Sequence, residues 1–145
     1  MSGLESLYQE LILDHAKHPR GFGLAPDGDD ATSSHQRNPV CGDEITLRLR
    51  VDGDGIRDVT WEGAGCSISQ SSASMLAELA EGMPRDEASA LIGRFRDALR
   101  SRGAIPLDEE EFGDAAALSG VSRYTARVKC AMLAWVALED ALARA

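Results

Sequence analysis

The sequence has no long apolar run. Its longest uncharged stretch within an apolar segment, Cys130 to Leu138, is nine residues. A membrane-spanning helix needs about 20, so no membrane partner is expected. Lysine is nearly absent, with Lys17 and Lys129 the two in the chain. The 15 basic and 24 acidic side chains give a formal net charge of −9. That balance argues against nucleic acid as the main partner, because phosphate contacts need clustered Lys and Arg. Arg94, Arg96, Arg100 and Arg102 are a local exception. They read as the solvated face of a helix, with a docking patch as the alternative. The N-terminus carries Glu5 and Glu10 and no basic run, so no secretory signal is expected and a cytoplasmic location is. Cysteine is scarce and odd in number, at three, so at least one has no partner within the chain. In a reducing compartment, separated cysteines bind metal or do chemistry more often than they bridge.

What is present suits one domain over residues 1–145, with 43% hydrophobic and 27% charged residues. Leu4, Leu7, Tyr8, Leu11 and Ile12 recur at helical spacing over residues 4–17 and predict a core stripe. His15 and His18 fall on the last turn, where they would complement the helix dipole. Residues 21–40 lack periodicity and read as a long loop. The period then becomes two. Ile45, Leu47, Leu49 and Val51 alternate with polar residues, Asp52 to Gly55 form a turn, and Ile56 to Glu62 return. Helices are predicted over Ser67–Glu81, Asp86–Arg100 and from Ser122 onward. Residues 102–120 read as connection, with the acidic run Asp108 to Glu111 a solvated turn.

The three cysteines sit where these patterns change. Cys41-Gly42-Asp43 closes the loop ahead of a strand, Gly65-Cys66 closes a strand ahead of a helix, and Cys130 follows Arg127-Val128-Lys129 in the last helix. Three thiolates and the Asp43 carboxylate are a donor set that Zn²⁺ accepts in a tetrahedron. The separations of 25 and 64 residues follow no zinc-finger pattern. On spacing alone, a shared metal site and buried structural cysteines both stay open. Arg127 and Lys129 would stabilise thiolates. A site closed by protein ligands leaves no position for water, which disfavours hydrolysis. It can still act if one cysteine leaves the metal as a nucleophile, and Cys41, on the loop, is the best placed.

These residues resemble the SufU branch of the IscU/NifU-N family of iron–sulfur assembly proteins. The resemblance runs through Leu7-Tyr8, Asp14-His15, Pro19-Arg20 and Gly23. It continues through Asn38-Pro39-x-Cys41-Gly42-Asp43, Gly63-x-Gly65-Cys66-x-Ile68-Ser69 and Arg127-x-Lys129-Cys130. Scaffolds of the IscU type carry a His where Lys129 stands, and about twenty fewer residues between the second and third cysteines. The stretch Gly82 to Gly103 resembles the SufU insertion. The resemblance implies an α+β, SufE/NifU-like fold, a small antiparallel sheet of about three strands flanked by helices. Two strands follow from the pattern, and a third over Ala31 to Arg37 is weakly signalled. It also implies persulfide transfer from a SufS-type cysteine desulfurase to downstream iron–sulfur assembly machinery. Zinc would be held by Cys41, Asp43, Cys66 and Cys130. Cys41 would accept the sulfur, assisted by Arg127, and a histidine of the desulfurase would replace Cys41 on the metal. The alternative is a scaffold building a [2Fe–2S] cluster on the same ligands.

Overall fold

Alternation of Ile45, Leu47 and Leu49 with polar residues buries one face of a strand, and each of the three is no more than 4% exposed. In the computed structural model, which describes residues 3–39 and 42–145, this strand is β2 (Asp43–Asp52). It forms a hairpin with β3 (Gly55–Ala64), setting Leu47 opposite Trp61 and Leu49 opposite Val59. On its other edge it pairs antiparallel with β1 (Ala31–Asn38). The sheet order is β1-β2-β3. The weakly signalled third strand is therefore real, and the long loop ends at residue 30. β1 escapes pattern reading because its buried positions, Ser34 and Asn38, are polar. Ser34 is accommodated by donating a hydrogen bond to Asp140 Oδ2 at 2.7 Å.

Helices cover one face of this sheet. They are α1 (Gly3–Lys17), α2 (Ser67–Ala80), α3 (Arg85–Arg100), the single turn α4 (Glu109–Phe112) and α5 (Thr125–Arg144). A 3₁₀ stretch over Gly113–Arg123 joins the last two. α5 lies on β1 and β2, α2 lies on β3 and α5, and α1 packs outside α2. From Cys130 to Leu138, α5 is buried at every position but Val136, as an all-apolar segment requires. α3 is tied to α5 by Phe95, whose ring stacks on Trp135 with centroids 3.7 Å apart.

Several expectations are corrected. Leu7 is 49% exposed, so it is not core, whereas Tyr8, Leu11 and Ile12 are half-buried against it. Leu4 lies among residues whose side chains are not described. His15 does not cap a helix in solvent. It is fully buried, with Nδ1 2.7 Å from Ser74 Oγ and Nε2 2.9 Å from Asp114 Oδ2. Residues 102–120 are more than connection, because Ala115 to Leu118 are buried in the core. The acidic run is a helical turn rather than a plain solvated one. Asp108 caps it by accepting the Glu110 N–H, Glu109 accepts from Tyr8, and Glu111 pairs with Arg94. Residue 122 falls within the 3₁₀ stretch, where its hydroxyl donates to the Ser119 carbonyl at 2.9 Å, so the last helix starts at Thr125. No helix among the described residues is long and apolar enough to cross a membrane.

Candidate functional site

The hairpin register sets Glu44 opposite Ala64, so Asp43 and Gly65 meet at the open end of the β2–β3 ribbon. There the chain leaves β3 and enters α2, with Cys66 at its N-cap position. α5 crosses beneath and presents Cys130. One ligand atom from each of Asp43, Cys66 and Cys130 lies within 4.8 Å of the other two. Asp43 is 2% exposed and Cys130 6%, while Cys66 is exposed. The cluster is therefore a buried pair of donors with one sulfur open to solvent. Cys41 lies outside the described residues.

Hydrogen bonds fix the Asp43 carboxylate. Oδ1 accepts the Cys66 backbone N–H at 3.1 Å, and Oδ2 is 3.8 Å from the Cys66 sulfur. Bond lengths of about 2.3 Å for Zn–S and 2.1 Å for Zn–O give a tetrahedral S···O edge of about 3.6 Å, so the observed spacing fits a shared metal. Ser69, which the sequence reading did not single out as functional, borders the site. Its hydroxyl donates to the Cys66 carbonyl at 3.0 Å and lies 3.8 Å from the Cys66 sulfur. The signal that could have found it is its position one turn after Cys66. Gly65 keeps the site open. A Cβ there would fall 2.4 Å from Ser69 Oγ and 2.6 Å from Asp43 Oδ1. Gly63 serves the ribbon instead, since a Cβ would meet the Glu44 carbonyl oxygen at 2.2 Å.

Arg127 lies one turn before Cys130 on α5 and is exposed. Its guanidinium carbon is 5.2 Å from the centroid of the Tyr124 ring, a cation–π distance. Lys129 is also exposed.

A second group, His15, Glu78 and Asp114, also brings its ligand atoms within 4.8 Å. Its chemistry is different. Both ring nitrogens of His15 are engaged by Ser74 and Asp114, and Glu78 pairs with Arg20 at 3.4 Å. The group clasps α1, α2 and the 3₁₀ stretch together.

Three comparisons bear on this geometry. The family model of the NifU-like N-terminal domain matches residues 7–143. The zinc-dependent sulfurtransferase SufU of Bacillus subtilis is 39% identical over 143 residues, covering 99% of this chain and 94% of the relative. The iron–sulfur cluster assembly scaffold protein IscU of Streptococcus pyogenes is 38% identical over 144 residues, covering 99% and 87%. Among solved structures, a scaffold protein for the SUF system of iron–sulfur cluster assembly, from Fervidobacterium islandicum, superposes with a TM-score of 0.79. It is 33% identical, with 95% of this chain and 98% of that one covered.

Proposed function

The chain belongs to the NifU-like N-terminal domain family, and from that footing we propose that it is a zinc-dependent sulfur carrier in iron–sulfur cluster assembly. Its donor would be a cysteine desulfurase of the SufS type, and its acceptors the downstream assembly machinery. The observation that carries this reading is the convergence of Asp43, Cys66 and Cys130 on one point. The name of the B. subtilis relative supports it.

In this reading the whole chain works as one domain, and Cys41, Asp43, Cys66 and Cys130 hold zinc. Bound zinc supplies redox-silent charge that keeps thiols in the thiolate form. The transfer itself belongs to Cys41. Its thiolate attacks the outer sulfur of the donor's persulfide. A new S–S bond forms on Cys41 as the donor's S–S bond breaks, and the donor cysteine leaves as a thiolate. Arg127 would assist by attracting the anionic partner group, since it lies one turn from Cys130 on the exposed side of α5.

The test is desulfurase turnover with cysteine and a reductant, with and without the protein, read beside intact-mass analysis. Stimulation and a mass gain of one sulfur atom are expected, and both vanish in Cys41→Ala. A Cys41→Ala protein that stimulates like the parent overturns the reading.

The S. pyogenes relative, matched over nearly the whole chain, is named a scaffold, and this favours a second reading. The same ligands would build a [2Fe–2S] cluster and pass it on. Anaerobic reconstitution followed by transfer to an apo-ferredoxin decides it. Absence of any transferable cluster excludes the scaffold.

A further inference from the structure

Between the end of β1, the C-terminal half of α3 and the first turns of α5 runs an open groove of about 630 Å³. Its floor is apolar, formed by Leu99, Val128, Met132, Leu133 and Val136. Its rim is basic. Arg37, Arg100, Arg102 and Lys129 stand around it, and among the described residues none of the four forms an ion pair. Arg96 also borders the groove but is neutralised by a two-pronged bond to Glu139, at 2.9 and 2.6 Å. Four unpaired cations on one rim are unusual in a chain whose net charge is −9. The first turn of α5, whose N-cap residue Tyr124 makes no side-chain cap bond, adds its positive dipole end at Thr125.

Backbone strain marks the same rim. Arg102 has φ +56 and is the sole non-glycine with positive φ among the described residues. A left-handed conformation is costly for a side chain like arginine. Glycine adopts such a φ without that cost. Arginine at 102 therefore holds its place against the local preference, and its side chain lines the groove.

We infer that this groove docks an acidic segment of a partner protein, with an apolar side chain seated on the floor and flanking carboxylates on Arg37, Arg100, Arg102 and Lys129. Charge complementarity selects this occupant. A small inorganic anion would leave the apolar floor wet, and a neutral peptide would leave the cations unmatched. The groove also touches the candidate site, since Pro39 and Lys129 line it and Lys129 precedes Cys130. An occupant would thus lie beside the turn of α5 that carries Cys130. The inference stands apart from the sulfur-transfer reading, because neither metal nor persulfide enters it.

The test pans a displayed library of random linear peptides against the full chain as purified, then measures recovered peptides by fluorescence polarisation. Peptides with Asp or Glu flanking an apolar residue are expected. Arg37→Glu/Arg100→Glu should weaken them about tenfold or more, and Arg102→Gly roughly fivefold. Arg102→Gly should melt no lower than the parent, because glycine suits the backbone there, which separates binding from folding. Recovery of basic or uncharged peptides overturns the inference, as does equal affinity for parent and variants. Displacement of the peptides by micromolar pyrophosphate overturns it in favour of a small-anion site.

Discussion

Asp43 fastens the start of β2 to the start of α2 through Cys66. One carboxylate oxygen accepts the Cys66 N–H at 3.1 Å, and the other lies 3.8 Å from the Cys66 sulfur. The same side chain is thus a structural acceptor and a candidate ligand, and two substitutions separate the roles. Asp43→Asn keeps an acceptor for the N–H but removes the charge. It should melt within a few degrees of the parent yet lose zinc readily to a chromophoric chelator. Asp43→Ala should also lose about 1.5–3 kcal/mol of stability, the worth of a hydrogen bond to a charged acceptor. Equal zinc retention in all three proteins would remove Asp43 from the ligand set.

Gly63, in the last two residues of β3, and Gly65, just past its end, should respond differently to alanine. At Gly63 the new methyl meets the Glu44 carbonyl oxygen at 2.2 Å. Backbone must then shift, and Gly63→Ala should cost about 1–3 kcal/mol in urea unfolding. At Gly65 it meets side-chain rather than backbone atoms, Ser69 Oγ and Asp43 Oδ1, so the strain falls on the carboxylate and its contacts. Gly65→Ala should therefore disturb metal retention more than stability. The reverse ranking would show that backbone, rather than the carboxylate, limits the space at Gly65.

How much of this was legible beforehand follows from the kind of signal each element carries. β2 and β3 bury alternate apolar residues and were readable by period. β1 buries Ser34 and Asn38, whose partners are set by tertiary contacts such as Ser34 to Asp140, and no local pattern encodes those. The helix boundaries near 67, 85 and 100 agreed to within a residue, because apolar spacing and Gly or Pro mark them. The 3₁₀ stretch failed, since Ala115 to Ala117 are small and its turns have no 3.6 period. Asp43, Cys66 and Cys130 were legible as chemistry and have proved neighbours. Ser69 and the His15 clasp were not, because a serine in a helix and a histidine at a helix end have commoner bland roles.

Ser72 is the polar centre of the core and should be costly to remove. It is fully buried, donates to the Ala131 carbonyl at 2.6 Å and accepts the Trp135 indole N–H at 2.9 Å. Ser72→Ala leaves that indole N–H unsatisfied in a stack shared with Phe95. A loss of about 1–3 kcal/mol is expected from chemical denaturation. Phe95→Ala should cost more, about 3–5 kcal/mol. Parent-like stability in Ser72→Ala would mean the indole has found another acceptor.

Acid should loosen the edge strand through Asp140. Its carboxyl is held below the ordinary value of 3.8, first by the Ser34 hydroxyl and then by Arg144. A carboxylate whose pKa is lower folded than unfolded adds stability above about 3.8, and that stability fades as pH falls through the folded value. The urea midpoint of the parent should therefore fall more steeply below pH 4 than that of Asp140→Asn. Identical slopes would show that the carboxylate has no preference for the folded environment.

Chelation should leave the protein folded. A small domain that depends on a structural zinc unfolds without it, but here the buried cluster of sheet, α2, α3 and α5 needs no metal to fill it. Leu49, Phe95, Leu118, Trp135 and Leu138 are all completely buried, on separate elements or on different turns of α5. Metal bound only to the native state adds stability by mass action, so its removal should lower the melting temperature while leaving helical circular dichroism and cooperative melting intact. That outcome is what a carrier requires, because ligands that exchange during transfer must do so without dissolving the fold. Collapse of the circular dichroism on chelation would instead make the metal a structural one and would count against both the carrier and the scaffold.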